Sequence, residues 1–214
     1  MKKSFLIGIP IRDFDNPMSR LSNIMSKDER VNLSKGLIIN LINVFSMTKT
    51  DVYVISNNNK VNLFCEENGI NIFKSSQNDL NNEIKEFISK NDNYENWSIV
   101  HGDLPYITKH FARIWINLCE SKSILIAASK DNGTPIFGGS KTYNNFLYGR
   151  NSFIKHTSSM EKENINYERV FHKELYFELD DEEDYSEFIK HQPRWYRKNP
   201  VSYTHLTLPT ISCV

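Results

Sequence analysis

Trp97-Ser98-Ile99-Val100-His101-Gly102-Asp103-Leu104-Pro105-Tyr106-Ile107-Thr108 is the stretch that decides the fold. Its first four residues predict a buried strand over 97–100. A Gly-Asp turn follows, and Thr108 stands where it can cap a helix over 108–120. Strand, polar turn and helix make the repeating unit of a parallel sheet, and in an open sheet of such units ligands bind outside the carboxyl ends of the strands. Asp103 stands at such an end. A carboxylate there suits Mg²⁺ on a phosphate. It equally suits a turn, where it accepts backbone N–H groups. Because Thr108 can cap the helix itself, Asp103 is less needed as a cap.

The same alternation extends in both directions. Phe5–Ile9 predicts a buried first strand. Ser26 with Glu29 forms a capping box, and the helix it opens carries Leu33, Leu37, Ile38, Leu41, Ile42 and Phe45 on one face. Asp51–Ser56 predicts a strand, Val61–Glu67 a helix stopped at Gly69, Ile70–Phe73 a strand, Leu80–Lys90 a helix and Ser123–Ala127 a fifth strand. The expected fold is α/β, with a doubly wound, mainly parallel sheet. Residues 131–151, rich in Gly, Asn and Tyr, read as a small inserted hairpin or loop region. Leu175–Leu179 predicts a late strand and Glu182–His191 a closing helix. Residues 1–195 are expected to form one domain.

Residues 196–214 form an atypical tail. From Val201 onward the chain has no Asp, Glu, Lys, Arg or Asn, although the body is full of Asn and Lys. The tail reads either as a terminal strand or as an adapter-like, artefactual end.

Composition narrows the function. Of 214 residues, 39% are hydrophobic and 24% charged, the balance of a soluble globular protein. A formal net charge of zero supplies no overall field that draws the chain to a nucleic acid polymer or to anionic lipid. No apolar run approaches the roughly 20 residues that cross a bilayer. The apolar N-terminal stretch is short and runs into Pro10-Ile11-Arg12-Asp13, so it reads as a first strand and not as a signal peptide. Cys65, Cys119 and Cys213 are scattered and odd in number, which suggests reduced thiols in a cytoplasmic protein.

Two further segments follow predicted strands. Arg12 and Arg20 stand in a long loop after the first. Their planar guanidinium groups suit phosphate, and an ordinary polar surface loop would look the same. Glu178 and Asp180 alternate, so on a strand they would share a side. Asp181–Asp184 reads as an acidic helix start favoured by the helix dipole. His101, His110, His156, His172 and His191 show no ligand spacing and read as structural or surface residues.

Together these segments resemble the 2-phospho-L-lactate guanylyltransferase family over roughly residues 5 to 190. Ile9-Pro10-Ile11-Arg12 through Ser19-Arg20-Leu21 looks like that family's opening "VPVKxxxxAKSRL". Ser26-Lys27-Asp28-Glu29-Arg30 looks like its "SxEER" and Asp79-Leu80-Asn81 like its "DLNxAL". Gly102-Asp103-Leu104-Pro105 matches "xDLPxLT" and Gly133-Thr134 is similar to "GGTN". Tyr148–His156 looks like "FGxxSFxRH", and Glu178-Leu179-Asp180 is similar to "DIDTPxDL". Arg12 stands where Lys is usual and Met18 where a second Lys is usual. Pro135 replaces Asn, and Glu178 replaces the first Asp. These departures bear on acceptor and nucleotide preference.

The resemblance implies a GT-A-like nucleotidyltransferase fold and a role in deazaflavin-coenzyme biosynthesis. It implies that Asp103 and Asp180 hold Mg²⁺. Arg12, Ser19, Arg20, Asn81 and Gly102 would bind the nucleotide GTP, with Arg12, Arg20 and Asp103 catalytic. Thr134, Gly149 and Ser152 would hold a small phosphorylated acid such as 2-phospho-L-lactate or phosphoenolpyruvate. The partners expected are these two substrates and, in assembly, a homodimer. The alternatives are another nucleotidyltransferase or small glycosyltransferase of this fold, or a nucleotide-binding module without turnover.

Overall fold

The computed structural model describes residues 3–47, 50–121, 124–140 and 143–197. The elements run β1 (Lys3–Pro10), a 3₁₀ turn (Ser19–Leu21), α1 (Lys27–Phe45), β2 (Thr50–Ser56), α2 (Asn59–Glu67), β3 (Ile72–Lys74), α3 (Leu80–Lys90), β4 (Tyr94–Val100), α4 (Lys109–Ser121), β5 (Ile124–Ala127), β6 (Ile136–Ser140), α5 (Ser152–Lys162), β7 (Glu168–Val170), α6 (Glu182–Lys190) and α7 (Arg194–Arg197). The tail from residue 198 onward, including Cys213, lies outside the described residues.

The seven strands form one sheet in the order β3-β2-β1-β4-β6-β5-β7. Every pairing is parallel except the two made by β6, which runs against both β4 and β5. β1 is an interior strand next to the central β4, paired with β2 on one side and β4 on the other. Its alternate side chains feed two cores: Phe5, Ile7 and Ile9 join the α1, α2 and α4 side, and Leu6 joins the α3 and α5 side. At Gly8 a Cβ would fall 2.7 Å from Phe87 and 2.6 Å from Ile55, so a bare backbone there lets α3 seat its aromatic ring on the sheet.

Local signals explain the elements. The Ser26–Glu29 capping box closes in both directions and opens α1. Asp79 caps α3 through the Asn82 N–H, and Thr108 Oγ1 accepts from the Phe111 N–H at the start of α4. Of the hairpin expected in 131–151 only one strand, β6, is found among the described residues; it lies inside the sheet between β4 and β5 and is not an appendage. α5 and β7 are additional.

The late strand expected over 175–179 is absent; that segment is irregular. Its apolar alternation arises because Leu175 reaches the large core while Leu179 reaches a smaller cluster with Leu21, Leu33, Leu37 and Phe188. Two backbone bonds replace a ladder, Lys130 N–H to the Tyr176 carbonyl (3.3 Å) and Leu179 N–H to the Asp103 carbonyl (2.9 Å).

Candidate active site

The carboxyl ends of β1, β4 and β5 share one rim of the sheet, and β6 starts there because it runs the other way. The His101 N–H donates to the Pro135 carbonyl at 2.9 Å, which ties the β4 exit to the β6 entrance. Beside this rim lies a cleft of about 620 Å³. Arg12, Ser19, Arg20, Gly102, Asp103 and Asp180 all line it, together with Met18. Distant segments thus converge on one cavity, and the Arg20 guanidinium pairs across it with the Asp180 carboxylate, 160 positions further on.

Deeper in, one ligand atom from each of His101, Asp103 and Glu178 lies within 4.8 Å of the others, a grouping able to hold a metal ion. His101 Nδ1 sits 3.1 Å from Glu178 Oε1. Asp103 Oδ1 is buried without a hydrogen-bond partner, as is His101 Nε2. Buried polar atoms are rarely left so in a native fold, so this donor set fits a cation. The charges agree. Burial, and after it the neighbouring Glu178 carboxylate, push the Asp103 carboxyl up to about 7. Burial also raises Asp180, against the opposing pull of Arg20. Burial disfavours the His101 imidazolium, but the hydrogen bond and charge of Glu178 outweigh it and the net direction is upward. Carboxylates crowded out of water ionise fully only when a positive charge joins them.

Asp180 lines the cleft with Asp103, yet its nearest charged partner is Arg20, and the tight group is His101, Asp103 and Glu178. Sequence reading missed two of these three. His101 carried no ligand spacing, and Glu178 was noted for sharing a side with Asp180 and as a substitution, without a ligand role; its place two residues before Asp180 was the available signal.

The second expected constellation is also gathered. Ser152 Oγ donates to Thr134 Oγ1 at 2.9 Å. His156 Nε2 accepts from the Leu147 N–H at 2.8 Å, so Nδ1 carries the proton and faces Thr134 Oγ1 at 3.3 Å. Burial holds the His156 imidazolium down at about 4, so the ring is neutral. Thr134 and Ser152 are both buried. Their hydroxyls therefore hold the corner together and are not open to the cleft. Gly149, with φ of +119°, turns the chain into α5 in a conformation that side chains resist. Asn81 Oδ1 accepts from the Tyr148 N–H (2.7 Å) and its amide donates to the Tyr148 carbonyl (3.4 Å), so it clamps this turn. The corner borders the metal-ligand group: a Cβ on Gly133 would lie 3.1 Å from Glu178 Oε2, and the His101 and Tyr148 rings are 5.4 Å apart.

The family described as guanylyl transferase CofC like matches residues 5–206. The chain belongs to this family. As a CofC-like guanylyl transferase it is a nucleotidyltransferase. It is similar to the 2-phospho-L-lactate guanylyltransferase of Methanosphaera stadtmanae, 29% identical over 208 residues, 93% of this chain and 87% of the other. In fold it is similar to a nucleotidyl transferase from a Methanothermobacter species (TM-score 0.63, 10% identity, 92% of this chain and 99% of that one). It is also similar in fold to Rv0371c of Mycobacterium tuberculosis, solved in complex with manganese (TM-score 0.57, 10% identity, 89% and 100%). No helix among the described residues is long and apolar enough to cross a membrane.

Proposed function

We propose that this chain transfers GMP from GTP to a small phosphorylated hydroxy acid, 2-phospho-L-lactate or a near relative such as phosphoenolpyruvate, in deazaflavin-coenzyme biosynthesis. The observation that carries the reading is the cleft lined by Arg12, Arg20, Asp103 and Asp180 beside the buried His101–Asp103–Glu178 group. Family membership and the similarity to 2-phospho-L-lactate guanylyltransferases support it.

A phosphate oxygen of the acceptor attacks the α-phosphorus of GTP. The new P–O bond forms as the bond to the bridging oxygen breaks, and pyrophosphate leaves. The nucleophile is already an anion, so no general base is needed, and catalysis comes from positioning and charge neutralisation. Arg12 and Arg20 meet the triphosphate, and Arg20 exchanges Asp180 for a phosphate as the nucleotide enters. His101, Asp103 and Glu178 would hold a divalent cation, Mg²⁺ on this reading, with Asp180 joining them once Arg20 leaves it; the cation would neutralise charge on the reacting phosphate. Because the Thr134 and Ser152 hydroxyls bond to each other, acceptor contact falls to the backbone N–H groups of the turn at Gly149, with the hydroxyls holding that turn in place. Asn81 keeps the turn docked on α3. The buried free thiols of Cys65 and Cys119 suit a cytoplasmic enzyme.

The test is pyrophosphate release from GTP, ATP, CTP or UTP with a panel of phosphorylated acids. Release only with GTP and one three-carbon phospho-acid is expected. Release with another nucleotide would move the chain to another chemistry of the fold, and GTP binding without release on any acceptor would make it a binding module.

A further inference from the structure

Arg30 lies in the second turn of α1 and is 95% removed from solvent, with a relative exposure of 5%. Its Nη1 donates to Asn16 Oδ1 at 2.9 Å, to the Pro17 carbonyl at 3.2 Å and, at 3.5 Å, to the Met18 carbonyl. Its Nε has no partner. Among the described residues no carboxylate pairs with this guanidinium. A buried arginine is ordinarily paired, because an uncompensated charge out of water is strongly unfavourable. Here the positive charge sits directly behind the loop that lines the cleft.

The direction of its bonds matters as much as the charge. There are no cis peptides among the described residues. In a trans peptide the carbonyl of one residue and the N–H of the next point opposite ways. With the Pro17 carbonyl accepting from Arg30, the Met18 N–H points away from it; the Met18 carbonyl accepts from the Leu21 N–H at 2.9 Å and lies 3.5 Å from Arg30 Nη1, and the Ser19 N–H points the opposite way. Among the described residues neither N–H donates to a protein acceptor. Met18 is held in the left-handed region (φ 48°, ψ 48°), a conformation a side-chain-bearing residue keeps only when its surroundings enforce it.

We propose that Arg30 is the positioning residue for the nucleotide phosphates. It pins the 16–18 loop from behind so that the Met18 and Ser19 N–H groups face the cleft, and the phosphates supply the negative charge that Arg30 lacks. This rests on the guanylyltransferase reading above. Arg30 itself touches no substrate. All three bonds leave from Nη1, so what sets arginine apart from lysine here is a delocalised, weakly hydrated charge that is easier to bury than an ammonium, carried at the end of a rigid planar group.

The experiment compares wild type, Arg30→Lys, Arg30→Ala with and without added guanidinium, and Asn16→Ala. Steady-state kinetics are combined with hydrogen exchange over residues 13–19. The expected result is a GTP KM raised about tenfold or more in both Arg30 variants, with acceptor KM within twofold of wild type. Faster exchange should be confined to the loop, and guanidinium should partly restore the GTP KM of Arg30→Ala. Asn16 is exposed, so Asn16→Ala tests the same loop without threatening the fold; a smaller rise in GTP KM is expected. Wild-type turnover of GTP with unchanged GTP KM in Arg30→Lys and Asn16→Ala overturns the proposal, as does an equal rise in both KM values. If wild type neither binds nor turns over GTP, the guanylyltransferase reading fails instead.

Discussion

The Leu179 N–H donates to the Asp103 carbonyl oxygen at 2.9 Å. That one bond ties the β4 exit to a segment 76 positions further on, with Glu178 and Asp180 flanking the donor. Asp103→Asn keeps the shape of the side chain and removes its charge. Pyrophosphate release should fall by at least about 10³-fold, roughly 4 kcal/mol of barrier, while the melting temperature holds or rises. Wild-type turnover in this variant would remove Asp103 from the site.

The raised Asp103 carboxyl makes a statement about pH. Its folded-state value of about 7 stands above the 3.8 of a free Asp side chain. Between those values the folded protein holds a proton that the unfolded chain has lost, so stability falls as pH rises from about 4 to about 7. A divalent cation demands the ionised carboxylate, so the gain in melting temperature from Mg²⁺ or Mn²⁺ should be larger at pH 8 than at pH 6. Melting curves at both pH values, with and without the cation, check this; an equal gain in wild type and Asp103→Asn would sink it.

Met18 lines the cleft while packing against the cluster around Leu21, Leu33 and Leu37. In Met18→Lys the aliphatic stem can keep that packing and the ammonium can reach the cleft. One charge-assisted contact contributes on the order of 1.5–3 kcal/mol, so GTP binding should tighten about tenfold. Titration calorimetry with parallel melting curves decides. Unchanged affinity with a lower melting temperature would show that the position serves packing alone.

Ser152→Ala removes the donor to Thr134 and leaves a buried hydroxyl short of a partner. A loss of about 1–2 kcal/mol in stability is expected. If the corner serves the acceptor, acceptor KM rises several-fold and GTP KM stays put. Parallel shifts in both constants would count against an acceptor-side role.

Asp184 is buried, pairs with Lys130 and accepts from the backbone N–H groups of Asp180 (3.2 Å) and Asp181 (3.3 Å). It therefore fixes the backbone that presents Asp180. Asp184→Ala should cost about 2–3 kcal/mol, below the full penalty for a broken buried pair because Lys130 is partly exposed. Urea denaturation measures this, and a change under 1 kcal/mol would show that the network carries little.

Much of this was legible in the sequence because the signals were local. The capping box at Ser26 and the apolar runs that became β1, β2 and β4 each depend on neighbours within a few positions. The gathering of Arg12, Arg20, Asp103 and Asp180 was legible because strand ends of an open sheet share a rim. What escaped depends on distant contacts. β6 reads as a Gly-rich loop because Gly138 and Gly139 lack strand propensity, yet β4 and β5 enclose it on both sides. Leu175–Leu179 alternates like a strand, but two separate cores take up its apolar residues. His101 looked idle because its partner Glu178 is 77 positions away, and Arg30 drew no role of its own because the carbonyls it binds lie in a loop more than ten positions earlier.

The order in which the chain delivers its groups has a consequence for synthesis. Domains tend to take shape from the N-terminal side as the ribosome extends the chain. β1 through β6, both arginines of the cleft, Arg30 and Asp103 are all made before residue 141. Glu178 and Asp180 come later, after β7, and are held by Leu179 and Asp184. A nascent or truncated chain could thus complete the central strands of the sheet and even grip a nucleotide, yet lack the carboxylates that finish the site. Under the proposed roles, competence is conferred last, by the same irregular segment that contributes no strand to the sheet.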